Sequence, residues 1–296
     1  MRKHSEQPDT QQLRAELEEL RSQFRHLAPV VRSNRVDDSW VHHEKKLSDL
    51  VLHDDPRRFL RWDIIRQTMS AGRQELYVLK ELWHLWRTAN WKDRWQPALA
   101  ETAVGSPPLY HLYPRSSANL IHHTYHVCRF EEVTRLEIPS FHNVTEVGGG
   151  YGSMCRLLFK LGFQGYYAIL DLPGFSALQR FFLRSLGLPV VSSDRSRTGI
   201  QLLCDIGQLA SLSPPADGGA LAIATWSLSE MPLIVREDLE PHLLRSHAFL
   251  FAYQEHFGGV NNLEYFQGLR SRAGVARWYD IPILHLRGSR YLFGVR

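Results

Sequence analysis

Leu13, Leu17, Leu20, Phe24 and Leu27 recur at alternating spacings of 4 and 3, with charged residues between them. That pattern predicts an amphipathic helix with a short leucine seam, ended by Pro29. Two heptads are marginal for a coiled coil, so the seam is expected to pack on the body or on a second copy of the chain. From Ser39 to about Trp95 apolar residues keep returning every three or four positions, as in RRFLRWDIIRQTM and RQELYVLKELWHLWRTANW. This stretch is expected to be helical. GSPPLYHLYP, Gly105 to Pro114, reads as a connector, and SANLIHHTYHVCRFEEVTRL as a further helix.

After Pro139 the period changes. NVTEVGG, YYAILDLP, IQLLCD, ALAIATW and HAFLFAY read as strands. SMCRLLFKLG and FSALQRFFLRSLG read as helices closed by Gly162 and Gly187. Such alternation predicts an α/β fold, a mostly parallel sheet with helices on both faces. RWYDIPILHL and SRYLFGVR flank RGS and predict an antiparallel hairpin at the sheet edge. Three regions follow: a helix over 1–28, a helical cap over 29–138 and an α/β domain over 139–296.

Composition narrows the classes. With 296 residues, 44% hydrophobic and 22% charged, the chain has the make-up of a soluble globular protein. Its formal charge of +4 is spread along the chain, with no polybasic run to point to nucleic acid. No apolar stretch reaches membrane-spanning length, and the first residues lack a secretory apolar run. Three cysteines without metal-ligand spacing argue against a disulfide framework or a structural zinc site. A reducing cytoplasm is the expected location. Six of the eight tryptophans lie between Trp40 and Trp95. They are expected to fill the helical core or cover the next domain, with a sugar-stacking platform as the sharper alternative.

The chemistry concentrates at VTEVGGGYGSMCRL. A glycine-rich turn after the first strand of such a sheet is the usual nucleotide-binding position. The dinucleotide fingerprint GxGxxG fails here: counted from Gly148 the sixth position is Ser153, and from Gly150 it is Cys155. The spacing that fits is acid-x-Gly-x-Gly-x-Gly, with Glu146, Gly148, Gly150 and Gly152. A strand-end carboxylate suits an ammonium group, and the glycines let backbone approach a ligand closely. Asp171, ending YYAILD, is placed to accept bonds from two ribose hydroxyls.

This string resembles the cofactor motifs of class I S-adenosylmethionine-dependent methyltransferases. VGGGYG with ILDLP is similar to the pair found in small-molecule O-methyltransferases. SANLIHHTYH, FEEVTRL, EVGGGYGSMCRL, YYAILDLPGFSALQRFFL, WSLSEMP and SRYLFGV together resemble a family called sugar O-methyltransferases, from about Phe59 to Arg296. No residue here by itself establishes the sugar. The resemblance implies a Rossmann-like methyltransferase sheet with a helical N-terminal region. It implies S-adenosyl-L-methionine as cofactor, held by Glu146, Gly148, Gly149, Gly150, Tyr151, Gly152, Asp171, Leu172, Asp205 and Trp226. Asp205 reads equally well as a turn or helix-cap residue. The implied acceptor is a small molecule: a sugar, nucleotide sugar or glycan precursor.

Methyl transfer to an alcohol needs a base to take the hydroxyl proton. Plant O-methyltransferases carry Trp-x-x-His-Asp after the fourth main strand. Here Trp226 matches, Ser229 stands at the histidine and Glu230 at the acid, so that mechanism does not carry over unchanged. Candidates for the base are His256, Glu230, and His122 or His123. Glu255, Asn261 and Asn262 could hold substrate hydroxyls. Glu230, Glu255 and His256 are ligand types for a divalent ion, but nothing in their spacing requires one and none is expected. Ser229 also motivates a different reading, a methyltransferase-fold protein that binds without catalysis.

Overall fold

The computed structural model describes residues 10–33, 35–68, 76–192, 198–211, 219–274 and 277–296. The leucine seam forms α1, Thr10–His26. Its Leu20 and Phe24 are buried, and the helix lies across Pro173–Ser185 and Asp38–His53 of the same chain. Glu16 pairs with Arg184, and Arg21 donates to the carbonyls of Val51 and Asp54. The seam is therefore occupied within the chain, which leaves that face unavailable to a second copy while α1 stays docked. Burying two side chains of this size is worth roughly 3–6 kcal/mol, enough to decide where the helix packs.

The segment read as continuously helical is broken. α2, Asp38–His53, starts on the Asp37 side chain, which accepts from the Ser39 amide. Pro56 then opens a 3₁₀ turn over Pro56–Arg61, and a short helix follows at Asp63–Thr68. α3 spans Leu76–Trp86, and a π-helical turn covers Trp91–Trp95. The connector contains a small hairpin, Leu109–Tyr110 with Tyr113–Ser117. α4, Ala118–Thr134, is capped by Ser117 and closed by Arg135 in the left-handed region. The tryptophans divide: Trp62, Trp91 and Trp95 are buried, while Trp83 and Trp86 stand exposed on α3.

The sheet contains β1 Asn143–Val147, β2 Tyr166–Leu170, β3 Val190–Val191, β4 Gly199–Leu203, β5 Ala220–Thr225, β6 Ala248–Gln254, β7 Arg277–Pro282 and β8 Ser289–Val295. Their spatial order is β7-β8-β6-β5-β1-β2-β4-β3. All neighbours pair in parallel except β8, which runs antiparallel to both β6 and β7. This is a Rossmann-like α/β fold. The terminal hairpin forms as expected, with β8 inserted beside β6 and β7 at the edge.

The connecting helices are α5 Ser153–Lys160, α6 Pro173–Ser185, α7 Leu233–Leu243 and α8 Asn262–Arg272. Strand residues alternate between two buried layers, because successive side chains leave a sheet on opposite faces. Tyr167 and Ile169 of β2 join the core that includes α1 to α6. Ala168 and Leu170 join the core beneath α7 and α8. The chain runs from β1 to β2 on one side and later returns to place β5 on the other. Ligands of open α/β sheets bind at such a switch point, beyond the carboxyl ends of the strands.

Candidate functional site

A cavity of about 930 Å³ opens at that switch point. Its sheet-side wall is the turn between β1 and α5. Gly148 and Gly150 have φ of +71° and +59°, a region costly to residues with a Cβ. A Cβ at Gly148 would lie 2.3 Å from the Cβ of Ser227. The Ser227 hydroxyl donates to the Val147 carbonyl. The glycine therefore lets the loop after β5 dock against the loop after β1. Gly149 and Tyr151 also line the cavity. Gly152 is not among the lining residues: it precedes α5 with φ of +92°, and a Cβ there would lie 3.2 Å from Leu183.

Two carboxylates flank this turn. Glu146 is buried and accepts a bond from the Tyr167 hydroxyl at 2.8 Å. Asp171 receives the Gly150 amide at 3.1 Å, the Leu172 amide at 2.8 Å and Gln179 Nε2 at 2.8 Å. Gln179 Nε2 also donates to the Gly150 carbonyl at 2.9 Å, which clamps the turn to the acid. Burial pushes both carboxyls up to about 7, well above their ordinary range. Each is therefore poised to ionise when a cation or a hydroxyl donor approaches. Leu172, Asp205 and Trp226 complete this side. Asp205 lines the cavity and accepts the Gly207 amide in a turn. Trp226 has φ of +67°, a strained backbone held where the β5 loop meets the cavity.

The opposite wall is α4. Asn119, His122, His123 and His126 sit at i, i+3, i+4 and i+7, one face of the helix, and all line the cavity. Asn119 Nδ2 donates to the Tyr151 hydroxyl at 2.9 Å. His122 Nδ1 lies 2.8 Å from Glu81 Oε1, and His285 Nε2 lies 2.8 Å from the same oxygen. Glu81 is fully buried on α3. Burial works to raise its carboxyl, but the two imidazoles outweigh that and hold it below the usual range. Glu81 thus stays a carboxylate and takes an N–H from His122 Nδ1. His126 Nδ1 meets the Tyr291 hydroxyl at 2.5 Å, and its ring centroid is 4.1 Å from that of His122. Burial drives His123 down to about 3 and His126 well below its ordinary value, so both are neutral.

Glu230 lines the cavity and accepts from Gln254 Nε2 at 3.3 Å, and burial raises its carboxyl. Ser229 is buried beneath it, with its hydroxyl on the Trp226 carbonyl at 2.6 Å. The position of the plant histidine is thus structural in this chain. Arg35, Asp37 and Trp40 from the start of α2 cover one rim, and Arg35 pairs with Asp238 at 2.7 Å.

His256 is the clear misplacement. It is exposed on a two-residue strand, His256–Phe257, and does not line the cavity. The segment just past the strand end forms a small hairpin, with His256–Phe257 pairing antiparallel to Val260–Asn261. Asn261 caps α8 by accepting the Leu263 amide, and Asn262 is buried against Arg236. Glu255 accepts from Arg290. Glu230, Glu255 and His256 are therefore not assembled as ligands. Glu81, Asn119, His126, Gln179 and His285 went unnoticed in the sequence. Asn119 and His126 were legible from their spacing with His122. Glu81 was legible as a charge within the apolar stripe Val78, Leu82, Leu85.

No protein-family model matches the chain, and no curated protein matches it. Solved structures with a similar course include the mitomycin 7-O-methyltransferase MmcR, at 16% identity and a TM-score of 0.39, over 82% of this chain and 74% of that one. An O-methyltransferase family protein from Burkholderia thailandensis matches at 13% identity and 0.40, over 75% and 69%. The methyltransferase domain of bacterial CtHen1 matches at 16% and 0.39, over 57% and 97%. No functional assignment follows from similarities of this size.

Proposed function

We propose that the protein is an S-adenosylmethionine-dependent O-methyltransferase acting on a hydroxyl of a sugar or sugar-containing small molecule. The observation that supports it is one cavity with two strand-end carboxylates and a glycine turn on one wall, and a carboxylate-oriented histidine on the other. The residues fit the cofactor. Glu146 suits an ammonium, Asp171 two ribose hydroxyls and Asp205 an adenine amine, and Trp226 offers a flat apolar face. When bound, S-adenosylmethionine supplies a methyl group already activated on a sulfonium.

The remaining work is positioning and proton removal. His122 Nδ1 keeps its proton and donates it in a hydrogen bond to the Glu81 carboxylate, so in the neutral ring Nε2 is the acceptor for the hydroxyl proton. Glu81 steadies the imidazolium that results. Glu230 faces the same cavity and orients the acceptor. Trp40 and Tyr77 line the same cavity on the acceptor side, with Asn119 and Gln67 as polar partners. Among the described residues no helix is long and apolar enough to cross a membrane. The three free cysteines fit the reducing cytoplasm expected from the sequence.

The test is S-adenosylhomocysteine release over a panel of free sugars, glycosides and nucleotide sugars, with His122→Ala as control. Release that requires His122 supports the reading. Tight cofactor binding with no release from any hydroxyl acceptor would favour a non-catalytic binding protein.

A further inference from the structure

Away from the cavity, α3 and α4 bring together His84, Cys128 and Glu132. One ligand atom from each lies within 4.8 Å of the others. Cys128 and Glu132 are four residues apart on α4 and so share a face, and His84 meets them from α3. His84 Nε2 is 2.9 Å from Glu132 Oε1, and Cys128 Sγ is 3.7 Å from the same oxygen. Arg129 Nη1 holds the other carboxylate oxygen at 2.5 Å. Cys128 is buried, whereas His84 and Glu132 are half-buried, so an ion can reach the group from solvent.

We propose that this trio binds a single zinc ion that pins α3 to α4. Tetrahedral zinc with bonds of about 2.0 Å to nitrogen and oxygen and about 2.3 Å to sulfur sets its ligands about 3.3–3.5 Å apart. The two separations to Glu132 Oε1 are within about 0.4 Å of that, and the His84 and Cys128 ligand atoms lie within 4.8 Å of each other, so the site closes when that third edge shortens to about 3.5 Å. A thiolate, an imidazole and one carboxylate oxygen suit zinc and disfavour magnesium or calcium. Arg129 keeps Glu132 monodentate, as outer partners of metal ligands commonly do. On binding, the Cys128 thiol gives its proton to solvent and the His84 ring proton leaves Nε2 and is carried on Nδ1 instead, so that sulfur, Nε2 and one Glu132 oxygen bond the zinc in place of the His84–Glu132 hydrogen bond. Water fills the fourth position. None of the three residues lines the cavity, so the ion would stand apart from the candidate site. The pinned helices are those that carry Glu81 and His122.

The experiment uses the full chain, stripped with chelator and then titrated with cobalt(II) or zinc(II). One cobalt per chain should produce a near-ultraviolet thiolate-to-cobalt band. Cys128→Ser should abolish the band and weaken zinc binding by about 100-fold or more. His84→Gln, a change at a half-exposed position, should weaken it comparably while leaving the circular dichroism unchanged. Zinc should also raise the melting temperature of the wild type but not of either variant. A folded wild-type protein without the band overturns the proposal. So does metal binding that neither variant alters, because it would lie at Cys204 or at the cavity histidines.

Discussion

Affinity for S-adenosylmethionine should rise steeply between pH 6 and pH 7.5. Glu146 and Asp171 both titrate near 7 in the folded protein, because burial penalises their charged forms. The proposed contacts, to an ammonium and to ribose hydroxyls, favour the carboxylate forms. A group with a pKa of about 7 is roughly 9% ionised at pH 6 and roughly 76% at pH 7.5, a gain of about 8-fold. If both must ionise, the dissociation constant falls by about 70-fold over that window, or about 2.5 kcal/mol. Isothermal titration at several pH values, in buffers of different ionisation enthalpy, reads both the affinity and the protons released. Glu146→Gln should weaken binding and reduce the remaining pH effect to about 8-fold. The stability linkage has the opposite sign. The folded carboxyls hold protons that the unfolded chain has released between about pH 4 and 7, so their stabilising contribution is present at low pH and lost as pH rises through 7. The cofactor-induced rise in melting temperature should therefore grow with pH. A dissociation constant flat to within 2-fold across the window, with binding otherwise intact, would refute the reasoning.

Other changes separate the roles. His122→Ala should lower turnover by about 10²–10⁴-fold with the cofactor dissociation constant unchanged, and Glu81→Gln should lower it less. Single-turnover and calorimetric measurements distinguish both from binding defects. His256→Ala, on an exposed strand outside the cavity, should leave turnover within about 2-fold. Gly148→Ala should destabilise by about 1–3 kcal/mol in urea unfolding, because of its positive φ and the clash with Ser227. Adding Ser227→Gly should recover part of that loss. Phe24→Ala should cost about 3–5 kcal/mol, since the side chain is buried between α1 and the body.

The sheet was legible because its signals are local. The apolar runs, Gly162 and Gly187 at helix ends, and Pro173 at the start of α6 each act within a few residues. The glycine turn and Asp171 were legible for the same reason, since they sit at strand ends fixed by the alternation. The helical region was read less well: Pro56 broke a pattern that periodicity alone continued. Histidine assignment depended on loop direction. His256 follows a strand end as His122 does not, yet its hairpin carries it outward, while α4 turns His122 inward. Glu81 and His285 meet His122 from 41 and 163 residues away, contacts that only the packing of α3 and the terminal hairpin creates. Gly148 was read as making room for a ligand, and the structure shows that Ser227 needs that room as well.

The most direct measurement of the central claim is transfer of a labelled methyl group from S-adenosylmethionine to a sugar hydroxyl by the purified full chain. The account predicts label in the acceptor, one S-adenosylhomocysteine formed per methyl transferred, and loss of both with Asp171→Ala or His122→Ala. No S-adenosylmethionine bound, or label appearing equally with His122→Ala, would contradict it.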